Sequence, residues 1–135
     1  MIKFYRTDHK VLSEITEYED NMWVCMTKPT VDETKLIAED FEIDLADVRA
    51  ALDDEESSRV EVEDGYTLIL VDIPSIEMRN EREAYTTIPL GIILVKDILI
   101  TVCAEDTPVL DAFIESKVKE FSTKKRMRFM YQILY

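Results

Sequence analysis

The chain has 135 residues, of which 47% are hydrophobic and 33% charged, so it can fold as one domain around a buried core. Its 29 acidic residues outnumber its 16 basic ones, and the net charge of −13 disfavours nucleic acid because phosphate backbones are repelled. The longest nearly apolar stretch, 88–95, is far shorter than the roughly 20 residues of a membrane helix, so we expect no span here.

The charge is distributed unevenly along the chain. Residues 117–135 hold six basic residues and one acidic residue, a net charge of +5, which leaves −18 for residues 1–116. Such an acidic body attracts cations, although high charge also serves simple solubility. An acidic body with a basic tail favours contact between the two, within one chain or between copies.

The N-terminal part predicts two strands and a helix. Apolar and charged residues alternate over 2–6, and an apolar run covers 22–26, so both are expected to be strands. Thr30 and Glu33 have the spacing of a capping box, which predicts a helix from about 31 to 41. The residues expected to face inward on this helix are Leu36 and Ile37.

A short helix and a hairpin are expected next. Asp44 is a suitable N-cap for a helix through Leu52. The residues that this helix is expected to bury are Leu45, Val48 and Leu52. Asp64 and Gly65 supply the turn of a β-hairpin within 59–73, because they tolerate the positive φ angles that a two-residue turn requires.

Three further strands are expected to complete the sheet. Residues 66–71 are apolar on both faces, which predicts a central strand, and Pro74 is expected to end it. The polar stretch 76–84 predicts a loop. Strands are then expected over 85–95 and 98–103, joined by a two-residue connection as antiparallel neighbours.

The C-terminal part predicts two helices. Thr107 followed by Pro108 is a typical helix start. The apolar or long side chains that follow at helical spacing are Leu110, Phe113, Ile114, Lys117 and Phe121. Either Ser122 or Thr123 can cap a last helix, from about residue 124 onward.

The last helix bears on the organisation of the chain. Residues 129–135 are apolar and helix-compatible and carry no stop signal, which predicts that they begin a longer C-terminal helix. The expected organisation is a domain over 1–121 and the start of that helix over 122–135. The elements together predict an α/β (α+β) fold, an αβα sandwich with a mixed sheet of about six or seven strands flanked by short helices.

Several classes of chemistry have little support in this sequence. His9 is the sole histidine and lies in a polar context typical of an exposed turn. The two glycines, Gly65 and Gly91, lie too far apart to form a Gly-x-x-x-x-Gly-Lys or Gly-x-Gly-x-x-Gly phosphate-binding loop. Cys25 and Cys103 lie in apolar runs typical of buried reduced thiols, which suits a cytosolic compartment and does not match a zinc site. We therefore do not expect an enzyme.

Acidic clusters are the strongest polar signal. Asp53, Asp54, Glu55 and Glu56 are consecutive hard oxygen ligands suited to magnesium or calcium, and Arg59 is a possible counter-ion. The alternative is a solvated helix end. A second acidic group, which includes Glu77, lies in the expected loop 76–84, where the alternative is simply a charged loop.

The chain resembles the cytoplasmic N-terminal domain of the CorA-like magnesium and divalent-cation transporter family. The similar pieces follow one another in order through nearly the whole chain. They are 28–33 (KPTVDE), 51–61 (ALDDEESSRVE), 62–70 (VEDGYTLIL), 87–94 (TIPLGIIL), 98–103 (ILITVC) and 108–110 (PVL). The family's two membrane helices and its Gly-Met-Asn pore signature are absent from these residues.

The resemblance implies a regulatory and assembly role in an ion transporter. It implies an αβα sandwich on the cytoplasmic face of the membrane, joined to the membrane through a following C-terminal segment. It also implies a homopentamer whose neighbouring copies bind Mg²⁺ between them, with Glu77 near the place of one ligand. Relatives differ in their cation, so Co²⁺, Ni²⁺ and Zn²⁺ stay open. The alternative function is an acidic protein-interaction module with no metal role.

Overall fold

The computed structural model describes residues 1–53, 56–79 and 82–134, with only the backbone described for 75–79 and 82–86. The seven strands are β1 (Ile2–Asp8), β2 (Val11–Ile15), β3 (Trp23–Thr27), β4 (Arg59–Glu63), β5 (Tyr66–Arg79), β6 (Arg82–Val95) and β7 (Ile98–Cys103). The helices are α1 (Val31–Asp40), α2 (Leu45–Arg49), α3 (Pro108–Ile114) and α4 (Arg126–Leu134), and a 3-10 turn covers Ala50–Leu52.

All seven strands form one mixed sheet in the order β2-β1-β3-β7-β6-β5-β4. β3 and β7 are parallel, and the other neighbouring pairs are antiparallel. Each face of the sheet supports its own core. One core includes Ile37 of α1 and Val48 of α2, and the other includes Phe113 of α3 and Phe129 of α4. The predicted αβα sandwich with a mixed sheet is therefore confirmed.

The capping box predicted for α1 is present. The Glu33 backbone N–H donates to the Thr30 hydroxyl at 3.1 Å, and the Glu33 carboxylate accepts from the Thr30 N–H at 2.8 Å. Ile37 is buried as expected, but the expectation for Leu36 is wrong, since 48% of that residue is exposed. The buried face of α1 is formed by Thr34, Ile37 and Ala38, and at about 100° per residue Leu36 lies on the opposite side of the helix.

The helix predicted from Asp44 is present and divides in two. The Asp44 carboxylate accepts from the Ala46 N–H at 3.0 Å, and α2 then passes into the 3-10 turn. Val48 is fully buried. Leu45 and Leu52 are only partly buried, packed against the edge of the core.

The Asp64-Gly65 hairpin is confirmed, but the predicted end of β5 is wrong. Glu63 pairs with Tyr66, and Gly65 has φ +92°, but the positive φ expected of Asp64 is wrong, since Gly65 alone of the two turn residues adopts one. β5 continues past Pro74 to its end at 79, so part of the expected loop 76–84 is strand. β4 pairs with β5 only as far as Leu70, so the rest of β5 is an edge among the described residues, where proline is tolerated. β5 is accordingly second from the edge of the sheet and not central.

The C-terminal helices are shorter than predicted. Thr107 caps α3 by accepting from the Val109 N–H at 3.2 Å, but α3 ends at 114. Lys117 and Phe121 therefore lie beyond the helix. Phe121 still joins the core, since its ring centroid lies 4.5 Å from that of Phe129.

β2 has no counterpart in the sequence-based prediction. It pairs with β1 across a turn formed by His9 and Lys10, whose φ angles are 48° and 67°. Such angles usually call for Asn, Asp or Gly, so the polar context that predicted an exposed turn at His9 does not indicate a hairpin with a second strand. Among the described residues, no helix has both the length and the apolar character needed to cross a bilayer.

Candidate functional site: an acidic edge and a basic groove

Three carboxylates converge at the β4 edge of the sheet. Oxygen atoms of Asp47, Glu61 and Glu63 all lie within 4.8 Å of one another. Glu61 and Glu63 are two positions apart and pair with Leu68 and Tyr66, so they share the sheet face that α2 covers. Asp47 reaches them from α2. We call these three residues the acidic edge.

Tyr66 fixes one member of the acidic edge. Its hydroxyl donates to the Asp47 carboxylate at 2.5 Å and accepts from the Asp44 N–H at 3.3 Å. Burial, and then the hydrogen bond to Asp47, raise the pKa of Tyr66 to about 12. The Asp47 carboxylate is therefore held in place by a neutral phenol.

Arg59 partly neutralises the acidic edge. Its guanidinium donates to Glu61 and to Glu56, and these hydrogen bonds raise the pKa of Arg59. Glu63 has no ion pair among the residues that the structure describes. The carboxylates of Asp47 and Glu63 therefore retain free capacity for a cation.

The predicted acidic segment lies beside this edge. Asp53 is exposed and follows the 3-10 turn, and Glu56 pairs with Arg59, which confirms that arginine as a counter-ion. Asp54 and Glu55 lie outside the described residues. Neither Asp47 nor the pair on β4 was singled out from the sequence, because the contact depends on how α2 packs over the sheet.

Glu77 lies elsewhere. Its backbone is in β5 opposite Ala84, and its side chain is not described. It is nine positions beyond Leu68, the partner of Glu61, and at about 3.4 Å per residue this is about 30 Å of strand. The structure therefore places Glu77 apart from the acidic edge.

A basic groove lies beside the opposite edge of the sheet. Its volume is about 590 Å³. The basic residues along its rim are Lys10, Lys124, Lys125 and Arg128, and the apolar residues of its floor are Leu12, Val118 and Phe121. His9, Glu120 and three hydroxyl residues also line it. The charge distribution in the sequence indicated a basic tail but not the cavity it builds with β1 and β2.

Two buried threonines hold this groove together. The Thr7 N–H donates to the Thr123 hydroxyl at 2.8 Å, and the Thr123 N–H donates to the Thr7 hydroxyl at 3.0 Å. Thr123 therefore fastens the loop before α4 to β1. Ser122 is the residue that caps the turn before α4, since its hydroxyl accepts from the Lys124 N–H at 3.2 Å.

The cysteines and the histidine behave as expected. Cys25 and Cys103 are buried and unpaired, and burial raises the pKa of both thiols, which makes them poor nucleophiles. His9 lies in the turn between β1 and β2 with a side chain that is 96% exposed.

Comparison with known proteins identifies the family. Residues 18–135 match the family model described as CorA-like Mg²⁺ transporter protein. The chain belongs to this family. The CorA-like resemblance expected from the sequence is thus confirmed, although no functionally curated protein matches the chain in sequence.

Solved structures similar to this CorA-like chain show the same fold. The soluble domain of CorA from Methanocaldococcus jannaschii has a TM-score of 0.77 and 22% identity, covering 99% of this chain and 54% of its own. The complete CorA magnesium transporter of that organism has a TM-score of 0.73 and 19% identity, and the match covers 99% of this chain and 43% of the transporter chain. The ZntB cytoplasmic domain from Vibrio parahaemolyticus RIMD 2210633 has a TM-score of 0.71 and 15% identity, and the match covers 97% of this chain and 55% of the ZntB chain. The CorA-like chain thus spans about half the length of these structures.

Proposed function

We propose that this chain is the regulatory and assembly domain of a divalent-cation transporter and senses cations on the cytoplasmic side. The observation that carries this proposal is the family match over residues 18–135. The fold it shares with the soluble domain of CorA and the cytoplasmic domain of ZntB supports it. The charge of the chain suits a cation-sensing surface.

The acidic edge is the proposed sensing surface. Asp47 and Glu63 offer oxygen ligands of the kind that Mg²⁺ prefers, while Glu61 is partly occupied by Arg59. Mg²⁺ keeps its waters unless several carboxylates converge in octahedral geometry. We therefore propose weak binding, in the millimolar range, with Mg²⁺ as the first candidate and Co²⁺, Ni²⁺ or Zn²⁺ as alternatives.

The acidic residues singled out from the sequence extend the proposal. Residues 53–56 (Asp53, Asp54, Glu55 and Glu56) precede Arg59, with which Glu56 pairs, and we propose that they add to the negative electrostatic potential at this edge. Glu77, about 30 Å of strand away, is proposed as a separate ligand that faces a neighbouring copy.

The place of this chain in a longer protein is also a proposal. Residues 122–135 lead toward the following helical segment, through which the protein reaches the membrane. Other copies of the same chain are the proposed protein partners, and the domain sits at the cytoplasmic face of the cell membrane.

A thermal melt tests cation sensing. We expect Mg²⁺ to raise the melting temperature more than NaCl does at equal ionic strength, because a bound ion relieves repulsion that salt only screens. At about ten times the dissociation constant, a ligand adds about 1.4 kcal/mol to the free energy of unfolding. Coincident melting curves would mean that screening explains the effect, and would favour the alternative of an acidic interaction module without a metal role.

A matched pair of variants locates the effect. Glu61→Gln with Glu63→Gln removes two charges from the acidic edge and should abolish the excess stabilisation by Mg²⁺. Glu17→Gln with Glu42→Gln removes the same charge from exposed positions that are not part of the acidic edge and should preserve the excess stabilisation. An equal loss in both variants would show that Mg²⁺ acts on the net charge and not at this edge.

A further inference from the structure

The basic groove is built for a partner that is both acidic and partly apolar. Its rim carries four cationic side chains, while its floor of half-buried Leu12, Val118 and Phe121 is apolar. Since the whole chain carries a charge of −13, this groove is an exception to the surface around it. A simple anion would satisfy the rim but leave the floor in water.

The opposite edge of the sheet has the complementary features. Val60 and Val62 are 65% and 80% exposed, and they alternate along β4 with Glu61 and Glu63. Within the described residues β4 pairs on one side only, with β5. Because successive side chains of a strand point to opposite faces, this exposed edge carries its valines on the α3 and α4 side of the sheet and its carboxylates on the α2 side.

We propose that the β4 edge of one copy, with Val60, Val62 and the acidic edge, docks in the basic groove of a second copy. The groove encloses the strand from both faces, so that the valines on one face contact the apolar floor and the carboxylates on the other face meet the lysines and the arginine of the rim. The inference rests on the assembly part of the proposed function, and it names the two surfaces that meet.

The two surfaces cannot meet within one copy. The groove lies beside β1 and β2, whereas β4 is the far edge of the same seven-stranded sheet. Thr7 and Phe121 belong to the side that α3 and α4 cover, whereas Glu61 and Glu63 share the side of α2. A contact between unlike surfaces is head-to-tail, and repetition gives a closed ring or an open filament.

The contact should be weak and sensitive to salt. Asp47 and Glu61 are half-buried, but Glu63 and the cationic side chains of the rim are exposed, and exposed ion pairs contribute little. The Debye length is about 8 Å at 0.15 M salt and about 3 Å at 1 M. Moderate salt therefore screens the long-range repulsion between two acidic copies but leaves the attraction between charges in contact. High salt weakens that attraction as well.

Charge reversal on each surface tests the proposal. Lys125→Glu with Arg128→Glu reverses the groove, and the new acidic residues at the start of α4 suit the helix dipole. Glu61→Lys with Glu63→Lys reverses the β4 edge. In sedimentation equilibrium at millimolar protein and moderate salt, we expect either variant alone to self-associate about tenfold more weakly than the original chain.

An equal mixture of the two variants is the decisive measurement. Each reversed groove then meets a reversed edge, so association should return to within about threefold of the original. Each variant has a control that changes the net charge equally at other exposed sites. Lys28→Glu with Lys35→Glu is the control for the groove variant, and Glu17→Lys with Glu42→Lys is the control for the edge variant. We expect each control to weaken self-association, relative to the original chain, by less than the variant with which it is compared.

Several results would overturn this contact. One is the absence of self-association in the original chain. The others are a mixture that associates no more strongly than either variant alone, and controls that associate as weakly as the variants. A groove variant that weakens association while the edge variant does not would assign the groove to another acidic partner. Cation sensing is measured separately by the melts, so failure of the contact leaves that part of the proposed function standing.

Discussion

Tyr66 joins two elements through a single hydroxyl. It donates to Asp47 within α2 and accepts from the N–H of Asp44, the N-cap of that helix. The ring lies in the core between the sheet and the first two helices. One side chain of β5 therefore sets both where α2 begins and where a carboxylate of the acidic edge lies.

This arrangement predicts a loss of stability in alkaline solution. The pKa of Tyr66 is raised from 10.0 to about 12 in the folded protein, so above pH 10 the unfolded chain releases a proton that the folded chain keeps. The free energy of unfolding should fall from pH 10 to 12. In urea unfolding at several pH values, Tyr66→Phe should reduce that slope.

The slope that remains in Tyr66→Phe should come from Tyr5 and Tyr18. The pKa of Tyr5 is raised to about 12 mainly by burial, and that of Tyr18 is raised by burial and by its hydrogen bond to Asp40. Tyr131→Phe, at an exposed tyrosine, controls for the loss of a phenol. An equal slope in wild type and Tyr66→Phe would contradict the assignment.

Local hydrogen bonds were predictable at the residue scale, and long-range ones were not. Thr30, Asp44 and Thr107 cap helices as their sequence context predicts, because capping depends on neighbours within three residues. Thr123 was one of two expected caps, but its hydroxyl bonds to Thr7, 116 residues away. Such a contact exists only once the chain has folded.

Among the elements, the 3-10 turn after α2 packs unusually close to β6. A Cβ atom placed on Gly91 of β6 would lie 3.1 Å from the Cβ of Ala51. Ala51 is itself buried within the core. The glycine therefore permits the turn to approach the sheet backbone directly.

A double-mutant cycle tests this close approach. Gly91→Ala overpacks the contact, which typically costs about 1–3 kcal/mol, and Ala51→Gly reopens the space. We expect Gly91→Ala to cost at least about 0.5 kcal/mol more in the wild-type background than in Ala51→Gly, as measured by chemical denaturation. Equal costs in the two backgrounds would show that the two residues do not limit the packing.

The long hairpin of β5 and β6 shows where element prediction from sequence fails. Pro74 and the charged stretch after it indicate a strand end, yet the two strands continue to pair through 14 positions each. Proline is tolerated where a neighbouring strand has ended, and β4 pairs with β5 only as far as Leu70. That condition depends on tertiary position, which local pattern does not reveal.

At the scale of the whole molecule, the fold was more predictable than the site. The order of strands and helices, three helix starts with caps and the family pieces led to the αβα sandwich. The acidic edge was not predicted, because Asp47 and Glu63 meet only after α2 packs on the sheet. The sequence instead emphasised the run of acidic residues at 53–56, of which Glu56 is already paired with Arg59.

The oligomeric state in dilute solution is a further prediction. Both docking surfaces are exposed and charged, so their contact should be too weak to persist at micromolar concentration. We expect a monomer or a weak dimer by sedimentation velocity, and a stable pentamer would contradict this expectation.

Trp23 gives the molecule an internal optical probe. It is the one tryptophan in the sequence and is fully buried, with its indole N–H donating to Thr101 at 2.9 Å. Its ring centroid lies 4.9 Å from that of Phe129 in α4 and 5.1 Å from that of Tyr5 in β1. Because an indole emits at shorter wavelength in dry surroundings, the fluorescence spectrum of this residue reports, without any label, whether α4 is seated on the sheet.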